Sequence, residues 1–162
     1  MRWLRHLFAP SSARTFPPAA LERIARAIAA SEARHTGEIC FAVEAALPLS
    51  AVLVGQRARD RAGEVFARLR VWDTEGNNGV LVYLLLADHA IEIVADRGLA
   101  GRVADEDWAA ICAGLSAALR AGDAEAGVLR AVDAISALLE RHFPRPEGYV
   151  DSNELPDRPH LL

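Results

Sequence analysis

The sequence predicts an α/β protein, a three-layer α/β/α sandwich in which helices cover both faces of a small mixed sheet. Three observations carry this. Residues 38–44 alternate between two faces with the two-residue period of a strand. Residues 80–86 form a near-continuous apolar run, the pattern of a central strand buried on both sides. Between them lies a stretch with helical spacing, and the order strand, helix, strand makes the two strands parallel with a right-handed crossover.

The elements follow in chain order. Thr15-Phe16-Pro17-Pro18 places a cap and two prolines before Leu21, Ile24, Ala25 and Ile28, which share one helical face. That helix is expected to end near Thr36-Gly37. In the first strand Ile39, Phe41 and Val43 face one way, while Glu38, Cys40 and Glu44 face the other. Pro48 and Ser50 open one long helix whose core stripe is Ala58, Ala62, Val65, Phe66 and Leu69. Residues 73–79 concentrate turn formers ahead of the second strand. Ala87-Asp88-His89 joins it tightly to a third strand, residues 90–95, in an antiparallel hairpin ended by Asp96-Arg97-Gly98. Residues 99–103 leave room for a short fourth strand. Asp105 is expected to cap the next helix, with Glu106 and Asp107 near its positive end and Trp108, Ile111, Cys112, Leu115 and Leu119 on its apolar face. After Gly122-Asp123 a last helix buries Val128, Val132, Ile135 and Leu139 and stops before Pro144. The chain thus divides into an arm (1–14), one domain (15–143) and a proline-rich tail (144–162). The tail reads as a mobile end, or as a segment draped on the domain or docked on a partner; the mobile end is the preferred reading.

Composition narrows the function. The 162 residues are 52% hydrophobic and 25% charged, the balance of one ordinary globular domain. The net charge is -4 and all 18 basic residues other than histidine are arginine, with no basic stripe interleaved with aromatics, so nucleic acid is not an expected partner. Cys40 and Cys112 lie far apart in apolar runs and read as buried free thiols. The N-terminal segment lacks a signal-peptide core and no run is long enough to span a bilayer, which points to a soluble protein of the cytoplasm. Trp3, Leu4, Leu7 and Phe8 share a helical face opposite Arg2, Arg5 and His6, a pattern that allows weak peripheral contact with an anionic membrane surface. Packing of this short arm on the domain is the favoured reading.

With the elements placed, the chain resembles the TPM-domain family, which includes thylakoid-lumen proteins linked to photosystem repair and many bacterial proteins. The resemblance rests on Gly37-Glu38-Ile39, on Trp72-Asp73-Thr74-Glu75-Gly76-Asn77-Asn78-Gly79-Val80-Leu81-Val82-Tyr83, and on Ile93-Val94-Ala95-Asp96-Arg97-Gly98. Trp108 and Arg120-Ala121-Gly122 add to it, and the likeness covers residues 16–143. It implies the α/β/α fold, calcium or another divalent ion as ligand in some members, acid phosphatase activity as in some plant relatives, and work in envelope maintenance or stress response beside a protein partner. This sequence is similar to a short bacterial form without the signal peptide and membrane helix that many members carry. Asn77 stands where relatives usually have aspartate, which removes one charge from a metal site there.

Strand polarity supplies the site independently. If the first two strands are parallel and the third antiparallel, Glu38, the loop containing Asp73, Asn77 and Asn78, and Asp96 with Arg97 gather at one end of the sheet. They offer the hard oxygen ligands that calcium or magnesium takes. Turn formation by Asn77 and Asn78, and capping by Asp96, are the competing readings of the same residues. Glu44, Asp88 and His89 form an alternative site at the opposite end. His6, His35, His142 and His160 show no metal spacing and are expected at the surface. There is no phosphate-binding glycine loop, nucleophile elbow or Cys/His pair. The expected function is therefore a divalent-ion- or partner-binding module. The alternative is a weak metal-dependent acid phosphatase using Asp73, Asp96 and Arg97, and the sequence leaves open whether the protein is an enzyme.

Overall fold

The computed structural model describes residues 1–150 and 153–162. Its sheet has the order β3-β2-β1-β4. The strands are β1 (Glu38–Glu44), β2 (Gly79–Leu85), β3 (Ala90–Ala95) and β4 (His160–Leu161). β1 and β2 run parallel from Glu38↔Gly79 to Glu44↔Leu85, and β2 pairs antiparallel with β3 from Val80↔Ala95 to Leu85↔Ala90. Both β1 and β2 are buried along their whole length. The α/β/α arrangement explains why.

On one face Ile39, Phe41, Val43, Val82 and Leu84 pack against α3 (Pro18–Glu32), α6 (Asp105–Arg120) and α7 (Ala124–His142) through Ile24, Ile28, Leu115, Ile135 and Leu139. On the other, Cys40, Ala42, Leu81, Tyr83 and Leu85 meet α4 (Leu49–Leu53) and α5 (Ala58–Arg68) through Val52, Ala62 and Val65. Each large side chain buried this way contributes about 1.5–3 kcal/mol, so the two apolar faces of the sheet fix the layer order.

The structure departs from the sequence expectation at several elements. Thr15 does not cap α3: it ends the short helix Ser12–Thr15, and Pro17 holds the cap position. The long helix after Pro48 is broken into α4 and α5, because Gly55 adopts φ 77°, a left-handed conformation that ends a helix. Residues 99–103 hold no strand; a 3₁₀ turn, Arg97–Leu99, ends there. The fourth strand comes from the tail instead. β4 lies parallel to β1 (Ala42↔His160, Val43↔Leu161), Leu162 N donates to Val43 O, and Leu155 is buried in the second core. The docked tail is thus the reading that the fold contains. Asp105 is the first helical residue, not the cap: Ala104 holds the cap position and the three acids occupy the first turn, where they face the positive end of the helix. Finally, His6 and His35 are buried. The strand-like contact of His35 with Pro144 and the docking of the N-terminal arm cover them.

The arm contains α1 (Arg2–Leu7) and α2 (Ser12–Thr15). It packs on the domain at the carboxyl end of β1 and β2, where α1 touches α4 and the 3₁₀ turn Leu86–Asp88. Among the described residues no helix is long and apolar enough to cross a membrane.

Candidate functional site

At the amino end of β1 and β2 two loops are tied to each other. The first, leading into β2, is shaped by glycine: a Cβ on Gly79 would lie 2.0 Å from Val71 O, so only glycine lets the chain cross itself there. Asn77 adopts φ 48°, a left-handed conformation that asparagine tolerates better than most residues. Thr74 Oγ1 accepts the Asn78 N–H at 3.1 Å, and Asn78 Nδ2 donates to Thr36 Oγ1 at 3.3 Å. The second loop is the exit of β3. Asp96 N donates to Gly79 O, Gly98 N donates to Asn77 O, and Arg97 Nε donates to Asn77 Oδ1 at 3.0 Å.

Asp96 caps the 3₁₀ turn, its carboxylate accepting the Arg97 N–H at 2.7 Å. Its second oxygen, Oδ2, is buried and has no hydrogen-bond partner, and the same is true of Asn78 Oδ1. Asn78 is fully buried and Asp96 is 9% exposed. Beside Asp96 lies a cleft of about 440 Å³ whose wall includes Asp105, Trp108, Arg59 and Cys112.

Of the five residues expected to offer oxygen ligands, Asn77, Asn78 and Asp96 lie on these two touching loops. Glu38 is buried at the adjoining start of β1, where its carboxylate accepts the Glu154 N–H at 3.1 Å. Asp73 points elsewhere, exposed and paired with Arg70. Of the three residues read as hydrolytic, Asp96 and Arg97 are adjacent, with Arg97 reaching to Asn77, while Asp73 is paired with Arg70. The sequence reading missed Thr36, Thr74 and Glu154. Glu154 comes from the tail and takes the Glu75 N–H, so the tail closes over this end of the sheet.

Among the described residues no three His, Cys, Asp or Glu side chains converge as a metal-holding group. The donors here are instead one orphaned carboxylate oxygen, one orphaned amide oxygen and the carbonyls of Gly76 and Asn77 that crowd Gly98. In kind they suit calcium or magnesium; in charge they are poor.

The opposite end is closed by two separate ion-pair groups. Buried Glu44 accepts from Tyr83 Oη at 2.6 Å and from Arg61 Nε and Nη2, both at 2.9 Å. Burial, reinforced by the Glu44 charge, raises the Tyr83 phenol, and the Glu44 hydrogen bond raises Arg61. Asp88 is held by Arg2, Arg5 and His6. Burial pushes its carboxyl up, but the hydrogen bond and charge of Arg2, aided by the contact with His6, outweigh that and leave it lowered. Glu44 and Asp88 are therefore engaged apart, and His89 serves as the left-handed residue that ends the 3₁₀ turn. Both cysteines are free; Cys40 is buried, whereas Cys112, expected to be buried too, is only partly so. Burial pushes the Cys40 thiol up to about 12, which removes it as a nucleophile at neutral pH.

Residues 11–138 match the family model described as the TPM domain. The chain belongs to the TPM-domain family. Two solved structures share the fold of this TPM domain. One is the NMR structure of the BA42 protein from the psychrophilic bacterium Bizionia argentinensis, with TM-score 0.74 and 24% identity over 94% of this chain and 95% of that one. The other is the solution NMR structure of the N-terminal domain of a protein from P. gingivalis, with TM-score 0.63 and 18% identity over 82% of each chain. At these identities the likeness is one of fold. No curated protein matches the sequence.

Proposed function

We propose that this TPM domain is a noncatalytic module that binds a divalent cation, calcium foremost, between the two loops at the amino end of β1 and β2, and works beside a partner protein in envelope maintenance or stress response. The supporting observation is the pair of buried, hydrogen-bond-free oxygens, Asp96 Oδ2 and Asn78 Oδ1, on loops already joined by the Gly98–Asn77 hydrogen bond. A buried oxygen without a partner costs roughly 1–3 kcal/mol, and more when it is charged. A hard cation would offset that cost. Asp96 would supply the charge, with Asn78 and the carbonyls of Gly76 and Asn77 as neutral donors. Bound there, the ion would clamp the β3 exit onto the β2 loop and hold one surface in place for a partner.

Affinity is expected to be modest because the asparagines bring no charge, in the range of about 10⁻⁴–10⁻³ M. Isothermal titration calorimetry with calcium tests the reading on wild type, Asp96→Ala and Asn77→Asp. Saturable binding weakened about tenfold or more by Asp96→Ala, and tightened by Asn77→Asp, is the expected result. Binding untouched by either change would move the site elsewhere, and no heat in any variant would leave the loops as turn and cap chemistry.

A further inference from the structure

Apolar exposure on this chain is concentrated at the other end of the sheet. Of the eleven exposed large apolar side chains among the described residues, five lie in residues 1–8 and three in residues 49–54. Leu7, Phe8, Leu53 and Val54 are each at least 65% exposed. α1 and α4 are in contact, so the two sets belong to one region.

The orientation of α1 is inverted relative to an ordinary surface helix, which turns its apolar stripe to the core. Here the polar side faces inward: Arg2 makes hydrogen bonds to Asp88, and His6 is buried with Nδ1 accepting the Leu47 N–H at 3.0 Å. Trp3, Leu7 and Phe8 are left outside. A six-residue helix is too short to persist alone. These polar anchors hold it folded with its apolar side presented to solvent, an arrangement that the core does not require.

Charge decides what covers it. The chain has 22 acidic residues, yet residues 1–21 contain three arginines and no acid, and residues 45–59 contain two arginines and no acid. Arg57 and Arg59 are paired with Asp60 and Glu92, but Arg2 and Arg5 share the single carboxylate of Asp88. That leaves an excess of positive charge beside an apolar patch with aromatic side chains, which is complementary to an anionic bilayer surface. We propose that α1 and α4 form a peripheral membrane-docking face for bilayers containing anionic lipid, with Trp3, Leu7, Phe8, Leu53 and Val54 entering the headgroup region. The proposal does not depend on cation binding at the opposite end.

Cosedimentation with vesicles tests it, using phosphatidylglycerol mixed with phosphatidylcholine and, separately, phosphatidylcholine alone. Wild type is expected to bind the mixed vesicles and lose binding as salt rises. The double variants L7S/F8S and L53S/V54S are each expected to lower partitioning by about tenfold or more. Both pairs are exposed, so their melting temperatures should match wild type, which separates lost docking from lost folding. Absence of wild-type binding to the mixed vesicles, or equal binding by both double variants, would overturn the proposal. A concentration-dependent dimer in sedimentation equilibrium that both double variants abolish would overturn it in favour of self-association.

Discussion

The backbone N–H of Gly98 donates to the carbonyl of Asn77 at 2.8 Å, and a Cβ built on Gly98 would lie 2.4 Å from that same oxygen. Two stretches about twenty residues apart in sequence thus meet backbone to backbone, with no room for a side chain between them. Their glycines are packing requirements of the site before they are anything else.

Gly98→Ala should therefore force the loops apart. A loss of about 1–3 kcal/mol is expected, as for other overpacked positions. Gly114→Ala is the matched control, since its Cβ would meet nothing within 4 Å and it sits within α6. It should be neutral or stabilising by up to about 1 kcal/mol. Chemical denaturation of the two variants checks both signs, and equal behaviour would refute the close approach.

The tail is a structural element. Removing residues 153–162 takes away Leu155, the β4 pairing and the Glu154 contacts to Glu38 and Glu75. Burial of one leucine alone is worth about 1.5–3 kcal/mol, and at this chain length each kcal/mol moves the melting temperature by about 2–4 °C. A drop of several degrees in a thermal melt is the expected outcome.

Docking of β4 should also depend on pH. Burial lowers the pKa of His160 below its ordinary value, so the folded state holds it neutral while the unfolded chain binds a proton near pH 6.5. Between the folded and unfolded values the unfolded state carries more protons, so stability rises with pH. The contribution is complete above about pH 7 and is lost progressively as pH falls below about 6.5. Hydrogen exchange at the Leu162 amide, which donates to Val43 O, should speed up relative to the core of β2 on going from pH 7.5 to 5.5 after correction for intrinsic rates. His160→Gln should flatten that difference.

Breaking the buried pair at the carboxyl end should be costly. Arg61→Ala leaves Glu44, whose side chain is 5% exposed, without its cationic partner. A loss of about 3–5 kcal/mol is expected. Adding Glu44→Gln in the Arg61→Ala background should recover part of it, whereas a merely space-filling role for Arg61 predicts no recovery.

Legibility of the sequence tracked periodicity. β1 was readable to its end residues because Ile39, Phe41 and Val43 alternate cleanly with Glu38, Cys40 and Glu44, and β2 because an unbroken apolar run has few other homes. The break at Gly55 was hidden, since apolar spacing continues through it and one glycine in a helix costs only about 1 kcal/mol. β4 has two residues and no period to detect; its anchor, Leu155, stands among prolines and charges. The gathering of Asn77, Asn78 and Asp96 followed from strand polarity alone. Glu154 did not, because nothing local says that the tail returns. Nor did the Glu44, Tyr83 and Arg61 group announce itself, because its members meet only when α5 covers the sheet.

The central claim, cation binding between the β2 loop and the β3 exit, is tested most directly by following backbone amide resonances during calcium titration. Saturable shifts largest at Asn77, Asn78, Asp96 and Gly98 are expected, absent in Asp96→Ala, with Glu44 and Asp88 unmoved. Shifts centred on Glu44 and Asp88, or a spectrum unchanged at millimolar calcium, about the weak end of protein calcium sites, would contradict it.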